Sequence, residues 1–271
     1  MAKQTIAETI VAVRGGGDLA TGTVQKLVHA GFKVVIFETE KPLMIRRTVS
    51  LGSAVWDQTT TVEDITAVLT TEKNLEKVWA SGRVPVIIDA EGESLSKIEP
   101  TVLVDAILAK RNIGTHRKMA PITVALGPGF EAPTDVNIVV ETMRGHNLGR
   151  LISAGKPLPN TGIPGVIAGK SAERVIHAPA SGVVRYVHQI GDQVSQGETL
   201  FYIGQTSVPS PLSGTLRGLI AEGANVELGL KIADVDPRAN VDCGCISDKA
   251  RAIGGGVLEA VLMLGHQQSL F

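Results

Sequence analysis

The sequence predicts an α/β protein in which a Rossmann-like parallel sheet domain is joined to a small all-β module. Three observations favour this fold class: three consecutive glycines between an apolar run and a helical pattern, apolar strands that alternate with amphipathic helices, and an internal repeat in the second half. Continuous apolar strands are typical of parallel sheets that helices cover on both faces. We therefore divide the chain into a Rossmann-like domain (1–152), a linker (153–175), the β module (176–237) and a C-terminal segment (238–271), which we expect to pack on the first domain.

The composition indicates a globular protein and argues against several classes of function. Of the 271 residues 44% are hydrophobic but only 3% are aromatic, so we expect a core of Val, Ile, Leu and Ala. A net charge of -1 gives no electrostatic basis for binding nucleic acid or an anionic membrane. The first residues lack a signal-peptide pattern, no apolar segment is long enough to span a bilayer, and two cysteines make no disulfide scaffold. We expect a cytoplasmic protein and leave its oligomeric state open.

Strand and helix signals alternate through the first half. Apolar residues at helical spacing predict a helix from Leu19 to a C-capping Gly31. A second helix is predicted over residues 99–112, with Pro100 in its first turn. Strands are predicted at residues 11–13, 33–38, 84–90, 122–129 and 136–142.

The triple glycine lies between the first strand and the first helix. Gly15, Gly17 and Ala20 fit the pattern G-x-G-x-x-G/A, in which glycines allow a tight turn and close approach of a pyrophosphate. The helix N-terminus would direct free N–H groups at the phosphates. The candidate ligand-binding residues of this loop are Gly15, Gly16, Gly17, Asp18, Ala20, Thr21 and Gly22.

Charged residues near the second strand extend this candidate site. Glu38 ends that strand, where a carboxylate accepts hydrogen bonds from an adenosine ribose, and Arg46 and Arg47 are candidates for neutralising phosphate. An alternative stays open, because glycine-rich turns also occur in α/β proteins that bind no nucleotide. Asp18 would add negative charge beside a pyrophosphate, and it would instead suit a helix cap.

Two later loops follow predicted strands and add further candidates. Gly127 and Gly129 come directly after the strand at 122–126, at the edge where ligands bind in open parallel sheets. The next loop brings together a carboxylate, a histidine and two guanidinium groups: Glu141, Arg144, His146 and Arg150. We interpret this cluster as a site for a polar or anionic ligand; caps and surface ion pairs are the alternative for each residue alone.

The second half contains an internal duplication with an offset of 32 residues. The identical pairs are Pro179/Pro211, Ser181/Ser213, Gly182/Gly214, Arg185/Arg217, Gly191/Gly223, Val194/Val226 and Gly197/Gly229. These pairs align without a gap and keep the turn glycines in step, which indicates two copies of one unit. We expect the two copies to interlock into a small β-sandwich.

The duplicated module resembles the biotinyl/lipoyl-carrier type of domain, a barrel-sandwich hybrid. The resemblance depends on "APASGVV" and "GDQVSQGETL" and covers residues 178–236. Carriers of that type present a modified lysine on the hairpin between their halves. Here that hairpin spans residues 201–211, has its tip at Gln205 or Thr206, and contains no lysine. We therefore expect neither biotin nor lipoate, and a rigid binding or assembly element instead.

The C-terminal segment carries both cysteines and a helical pattern. Ser247 or Asp248 is the expected cap of a helix over about residues 249–264. Glycines at 254–256 inside this helix predict close packing of another helix. Cys243 and Cys245 form a C-x-C pair before the helix, where a helix N-terminus would favour thiolates. Two thiolates would suit a soft metal or accept a sulfur atom; two small residues in a turn are the alternative.

The motifs taken together resemble one family, the YqeB-type proteins of the selenium-dependent molybdenum hydroxylase system. The motifs are "VRGGGDLATG", "IRRTVSLGSAV", "ALGPGFEAPTDVNIVVETMRGHNLGR", "PNTGIPG", "ERVIHAPASGVV" and "ISDKARAIGGGVLEAVL". The resemblance implies an accessory role in maturing such hydroxylases, with a hydroxylase or its maturation machinery as partner. XdhC-type maturation factors, which also have a Rossmann-like part, bind molybdenum cofactor. The resemblance implies site residues only in the loop at 15–22 and at Cys243–Cys245.

Two function classes follow, with a purely structural scaffold as a third. In the first, a maturation protein holds a nucleotide or molybdenum cofactor in the Rossmann crevice, and Cys243 or Cys245 handles sulfur, selenium or metal. In the second, the chain is an NAD(P)-dependent oxidoreductase that uses His146 for proton transfer; it lacks a Tyr-x-x-x-Lys pair. NAD(P), an adenine nucleotide and molybdenum cofactor all stay open as the small-molecule ligand, as does whether a reaction is catalysed.

Overall fold

A computed structural model describes residues 4–271 and divides the chain into two compact units. The first unit contains the residues up to Pro42, Ser50–Asn160 and Ile246–Phe271. The second unit contains Leu43–Val49 and Thr161–Cys245. Residues 43–49 therefore lie in sequence between two segments of the first unit but belong to the second unit.

A mixed sheet of nine strands forms the centre of the first unit. Its strands are β1 (Ile10–Arg14), β2 (Lys33–Glu38), β3 (Thr59–Val62), β4 (Ile65–Leu69), β5 (Val84–Ile88), β6 (Val102–Asp105), β7 (Ile122–Leu126), β8 (Ile138–Val140) and β9 (Leu151–Ile152). They lie in the order β3-β4-β5-β2-β1-β6-β7-β8-β9. Only the outermost pairs, β3–β4 and β8–β9, are antiparallel. The inner order β5-β2-β1-β6-β7-β8 is that of a doubly wound Rossmann arrangement, in keeping with the prediction.

The strand order reverses between β1 and β6, which are neighbours in the sheet. Arg14, the last residue of β1, pairs in register with Asp105, the last residue of β6. The triple glycine follows β1 directly, so it lies at the carboxyl edge of the sheet, at the switch point. This is the place where open α/β sheets bind their ligands.

Two long helices lie against each other in this unit: α1 (Asp18–His29) and α5 (Asp248–Gln267). The Ser247 hydroxyl accepts a hydrogen bond from the Ala250 N–H at 3.1 Å, which confirms the predicted cap. A Cβ on Gly22 would lie 2.5 Å from the Ala250 carbonyl oxygen, and one on Gly254 would overlap the Gly22 carbonyl oxygen. Gly22 of α1 and Gly254 of α5 therefore permit the close helix crossing that the sequence predicts. Three short helices complete the unit: α2 (Ala54–Asp57), α3 (Leu75–Ala80) and α4 (Leu95–Ile98).

The prediction of a helix over residues 99–112 is wrong. Strand β6 occupies Val102–Asp105 instead, between β1 and β7. Its side chains are buried on both faces, with Val102, Leu103 and Val104 fully inaccessible. A short apolar run of this kind suits a central parallel strand, whereas a helix on the sheet needs one polar face. The other strands predicted in this half and α1 are present in the structure.

The second unit contains two four-stranded antiparallel sheets. Its strands are β10 (Val175–His177), β11 (Gly182–Tyr186), β12 (Gln193–Val194), β13 (Thr199–Ile203), β14 (Thr206–Pro209), β15 (Gly214–Leu219), β16 (Asn225–Val226) and β17 (Lys231–Asp236). The sheet orders are β10-β17-β15-β12 and β14-β13-β11-β16. Short strand β16 of the second repeat pairs with β11 of the first, and β12 of the first pairs with β15 of the second. Each repeat thus completes the sheet of the other, in keeping with the interlocking that the duplication predicts.

The hairpin between β13 and β14 turns at Gly204 and Gln205, both exposed. The predicted tip at Gln205 or Thr206 therefore lies at or next to this turn. No helix among residues 4–271 is both long and apolar enough to cross a membrane.

Candidate functional site

The first two glycines of the loop are required by packing within the first unit. Gly15 has a φ of +90°, and a Cβ there would lie 3.0 Å from the Ala106 carbonyl oxygen. A Cβ on Gly16 would lie 2.6 Å from the Gly52 Cα. The Gly52 N–H also donates to the Gly16 carbonyl at 2.8 Å, so the two backbones are held in direct contact. Packing alone therefore explains why positions 15 and 16 are glycine, without any ligand.

Gly17 differs from its neighbours because its α-carbon borders open space. A Cβ at this position would meet no heavy atom within 4 Å. Gly17 is the N-cap of α1, it has an extended φ of -69°, and no side chain caps the helix there. The helix therefore begins with its N-terminal edge uncovered by its own cap residue.

The rest of the predicted loop motif is directed into the protein. Asp18 is the first residue of α1 and not its cap, which differs from the alternative drawn from the sequence. Ala20, Thr21 and Gly22 are buried. The Thr21 hydroxyl accepts the Leu51 N–H at 3.0 Å, so it anchors the segment that contains Gly52.

The Glu38 carboxylate braces the glycine loop. Its oxygens accept the backbone N–H of Gly16 and that of Thr39, each at 2.8 Å. Burial raises the pKa of Glu38, and these two N–H donors oppose the rise. The predicted ribose-binding carboxylate therefore lies directly behind the loop and already holds its middle residue.

The arginines predicted to neutralise phosphate, Arg46 and Arg47, belong to the second unit. Arg47 Nε donates to the Leu219 carbonyl at 2.9 Å, and its guanidinium lies 5.7 Å from the centre of the Tyr186 ring. Arg46 is largely buried. The structure thus gives Arg47 partners of its own within the duplicated module.

A buried polar cluster at the strand switch point was missed by the sequence analysis. Arg14 donates to the Thr115 hydroxyl at 2.6 Å and to the Ala90 carbonyl at 2.8 Å. The Thr115 hydroxyl donates to Asp105 at 2.6 Å. Burial raises the pKa of Asp105, whereas the Arg14 charge lowers it. This cluster fixes the segment that follows β6 against the end of β1, beside Gly15.

The glycines after β7 are explained by local packing. A Cβ on Gly127 would overlap the Thr142 hydroxyl, and one on Gly129 would lie 2.6 Å from the Arg111 Cα. Both residues have positive φ. Within the first unit, both glycines are therefore explained by close contacts of the loop, with Gly127 buried and Gly129 exposed.

The predicted cluster after β8 separates into three environments. Glu141 is buried, and its oxygens accept the backbone N–H of Met143 at 2.7 Å and of Leu158 at 2.8 Å. Arg144 forms a bidentate pair with Asp248 at 2.8 and 3.1 Å, and that carboxylate raises the pKa of the guanidinium. His146 and Arg150 are exposed. The four side chains therefore do not converge on one point through hydrogen bonds.

The first turn of α5 adds a residue that the sequence analysis did not select, Lys249. Its side chain is partly buried, and burial is the largest cause that lowers its pKa. The charge of Arg144 lowers the pKa further, whereas Asp18, Glu141 and Asp248 raise it. Lys249 therefore interacts electrostatically with residues of three segments of the first unit, Asp18 of α1 among them.

The two cysteines lie in different environments within the second unit. The Cys243 thiol is buried, and burial raises its pKa even though Arg46 and Arg217 oppose the rise. This direction is opposite to the one expected from a helix N-terminus. Cys245 is exposed, and its thiol donates to the Asp242 carboxylate at 2.8 Å. Within residues 4–271, no group of three or more His, Cys, Asp or Glu side chains is arranged to hold a metal ion.

Comparison with known proteins gives one close relative. The chain is 48% identical over 260 residues, 95% of its length, to a protein of Escherichia coli (strain K12) named "Uncharacterized protein YqeB". The chain spans about half of that relative, 48% of its length. The match supports a relationship to the YqeB family, and the printed name assigns no activity. No protein-family model matches the sequence.

Solved structures show only weak likeness. The ectoine utilization protein EutE (DoeB) from Ruegeria pomeroyi, in its product-bound form, matches with 14% identity and a TM-score of 0.23, over 83% of this chain and 57% of that one. The protein TcdA (CsdL) matches with 11% identity and a TM-score of 0.33, over 97% of this chain and 90% of that one. TM-scores this low carry no argument about this chain.

Proposed function

We propose that the first unit binds a phosphate-bearing small molecule at the Gly15–Gly17 loop. The single observation that carries this proposal is Gly17, an N-cap glycine with open space in front of it. Stability alone would favour Ser, Asp or Asn at an N-cap, because their side chains accept the free N–H groups. A glycine there leaves those N–H groups and the helix dipole available to an anion that approaches closely.

The neighbouring residues support a rigid binding loop. Gly16 is held by Gly52 and by the Glu38 carboxylate, and Gly15 packs against Ala106. The loop therefore keeps its shape without a ligand, so little conformational entropy is lost on binding. NAD(P), an adenine nucleotide and molybdenum cofactor all present phosphate and fit this requirement equally.

We further propose an accessory role in the maturation of selenium-dependent molybdenum hydroxylases. The sequence motifs that resemble the YqeB-type proteins support it, and the partner would be a hydroxylase or its maturation machinery. In that role the loop would hold a nucleotide or the molybdenum cofactor. A cellular test is the activity of a selenium-dependent hydroxylase in its native host after deletion of this protein, which we expect to fall. Unchanged activity would contradict the accessory role without touching the binding proposal.

Ligand binding is tested with Gly17→Val. NAD⁺, NADP⁺, ADP and isolated molybdenum cofactor are each titrated by calorimetry and by thermal shift. A ligand at about one hundred times its dissociation constant should add roughly 2.7 kcal/mol to stability. We expect Gly17→Val to lose this gain while it stays folded, because the branched side chain fills the open space. Binding of equal affinity in Gly17→Val would refute the loop assignment.

Within this role we propose Cys245 as the accessible thiol of the Cys243–Cys245 pair. It is exposed and hydrogen-bonded to Asp242, whereas Cys243 is buried. Iodoacetamide should label Cys245 in the folded protein, and Cys243 only after denaturant is added. Exchange of both cysteines for serine should impair activation of the hydroxylase while the protein stays folded. If neither cysteine is labelled before denaturation, a role in sulfur, selenium or metal handling fails.

A further inference from the structure

A cavity of the first unit opens at the carboxyl end of strand β8. Its volume is about 350 Å³, which lies within the range of roughly 300 to 1,000 Å³ that is typical of small-molecule sites. The loop between β8 and β9 and the residues after β9 form it, and its polar lining residues are Glu141, Asn147, Arg150, Ser153 and Lys156. Ligands of α/β sheets bind at the carboxyl ends of strands, so this position suits a binding site.

Glu141 brings a buried negative charge to this cavity. Only 3% of the residue is exposed, and its oxygens accept the neutral backbone N–H groups of Met143 and Leu158. Among the residues that the structure describes, 4–271, no cation forms an ion pair with it. The charge of Glu141 acts on Lys249, but no hydrogen bond joins the two. A carboxylate can accept about four hydrogen bonds, and a buried charge without a counter-ion is costly. Glu141 therefore keeps unused acceptor capacity.

Arg150 brings the opposite charge to the same cavity without neutralising Glu141. The Glu141 N–H donates to the Arg150 carbonyl at 2.9 Å, so the two residues are neighbours across the β8–β9 hairpin. Their side chains nevertheless form no ion pair, and within the described part of the chain no group accepts a hydrogen bond from the Arg150 guanidinium. Lys156 adds another cation, and its amine lies 3.4 Å from a Glu131 oxygen. The cavity therefore borders a carboxylate and a guanidinium that do not pair with each other.

We propose that this cavity binds a free α-amino acid, with its ammonium group on Glu141 and its carboxylate on Arg150. The ammonium would supply the counter-ion and the donors that Glu141 lacks, and a guanidinium pairs with a carboxylate through two parallel hydrogen bonds. A ligand with a single charge would match only one of the two residues. The Asn147 amide and the Ser153 hydroxyl also border the cavity and would contact the ligand's side chain. No residue of the Gly15–Gly17 loop lines the cavity, so this site is independent of the proposed phosphate site.

The first experiment needs no variant. Each common amino acid is titrated into the unchanged protein by calorimetry, and the tightest binder is then compared with its N-acetyl derivative and its methyl ester. Acetylation removes the ammonium that Glu141 would accept, and esterification removes the carboxylate that Arg150 would bind. We expect each derivative to bind at least about tenfold more weakly, because it loses hydrogen bonds between charged groups. If no amino acid binds, or if either derivative binds as tightly as its parent, the proposal is overturned.

The second experiment places the bound amino acid in this cavity. Arg150 is exposed, so Arg150→Gln should leave the fold unchanged. We expect Arg150→Gln to weaken binding of the tightest amino acid at least about tenfold, and Arg150→Lys to weaken it less because the charge is kept. Arg111→Gln removes the same charge from an exposed position of the first unit that does not line the cavity, and it should bind as the unchanged protein does. Unchanged affinity in Arg150→Gln, or an equal loss in Arg111→Gln, would refute the assignment.

Discussion

The chain contains the tripeptide Gly-Gly-Gly twice, at 15–17 and at 254–256, and the two copies lie in different structures. The first is a turn from strand β1 into helix α1, and the second lies inside helix α5. In each copy two glycines meet neighbouring backbone: Gly15 and Gly16 in the turn, Gly254 and Gly256 in the helix. In each copy the remaining glycine faces open space: Gly17, the last of the first tripeptide, and Gly255, the middle one of the second.

The two open glycines differ in what their backbone would offer to a ligand under the proposed function. Gly255 is flanked by Gly254, which the crossing with α1 requires, and by Gly256, where a Cβ would overlap the Gly149 carbonyl oxygen. Its own backbone is helical. A glycine at such a place costs stability and gains nothing from its openness. Gly17 lies at a helix N-terminus, where an open backbone presents N–H groups to an anion. Local structure, and not the tripeptide, separates a candidate binding position from an incidental one.

The largest loss of stability is expected for Gly16→Ala. The new Cβ would lie 2.6 Å from the Gly52 Cα and 2.7 Å from its nitrogen, and neither backbone atom can move without breaking the Gly52–Gly16 hydrogen bond. We expect a loss of about 3 kcal/mol, typical of severe overpacking. Urea denaturation measures it. A loss below about 0.5 kcal/mol would show that the segments of Gly16 and Gly52 separate easily. Gly16 would then be no more constrained by packing than Gly17.

A smaller loss is expected for Gly254→Ala. Its Cβ would overlap the Gly22 carbonyl oxygen, so α1 and α5 would have to separate. The overlap costs roughly 3 kcal/mol, and the better helix propensity of alanine returns about 1 kcal/mol, which leaves a net loss near 2 kcal/mol. The same denaturation assay applies. An increase in stability would mean that the helix crossing is looser than the structure describes.

A gain is expected for Gly255→Ala, the matched control for Gly254→Ala. No heavy atom lies within 4 Å of the new Cβ, so only helix propensity changes. The expected gain is about 1 kcal/mol. Thermal and urea unfolding should both report it. If Gly255→Ala is instead destabilised as much as Gly254→Ala, the open space at Gly255 is filled in solution.

The smallest change in stability is expected for Gly17→Ser, the matched control for Gly16→Ala. The backbone of Gly17 is extended, which suits a capping serine, and its Cβ would meet no atom. We expect a gain of about 0.3 kcal/mol from the new cap. Affinity for a phosphate ligand should nevertheless fall, because the hydroxyl competes for the N–H groups that the ligand uses. If Gly17→Ser raised both stability and affinity, or lowered both, the view that Gly17 lowers stability but favours binding would be contradicted.

Much of the fold could be predicted from local patterns. Strand β2 and helix α1 carry continuous or periodic apolar residues, and the duplication predicts the exchange of strands in the second unit. The exception is β6, where Pro100 suggested a helix start and the run Val102–Val104 is too short for its period to decide. Only its burial on both faces, between β1 and β7, makes it a strand.

The candidate site could be predicted only in part. The glycine loop has a local signature, so Gly17 was selected from the sequence. Lys249 and the Arg14–Thr115–Asp105 cluster have none, because their partners come from distant parts of the chain. A lysine in a first helical turn is ordinary, and its electrostatic interaction with Asp18 of α1 depends on the packing of Gly22 against Ala250. Hydrogen bonds between residues about 100 positions apart, such as Arg14 with Thr115, leave no periodic trace in the sequence.

The exchange of β12 and β16 between the two repeats has a consequence for how such a module can arise. A single repeat would leave its longest strands without their short partners, so its sheet edge and apolar face would stay exposed to water. One copy alone would therefore lack the strands that complete its sheets, which a second identical copy would supply in a symmetric homodimer. Fusion of two such copies into one chain would make this pairing intramolecular, with the hairpin at Gly204–Gln205 lying between the two repeats.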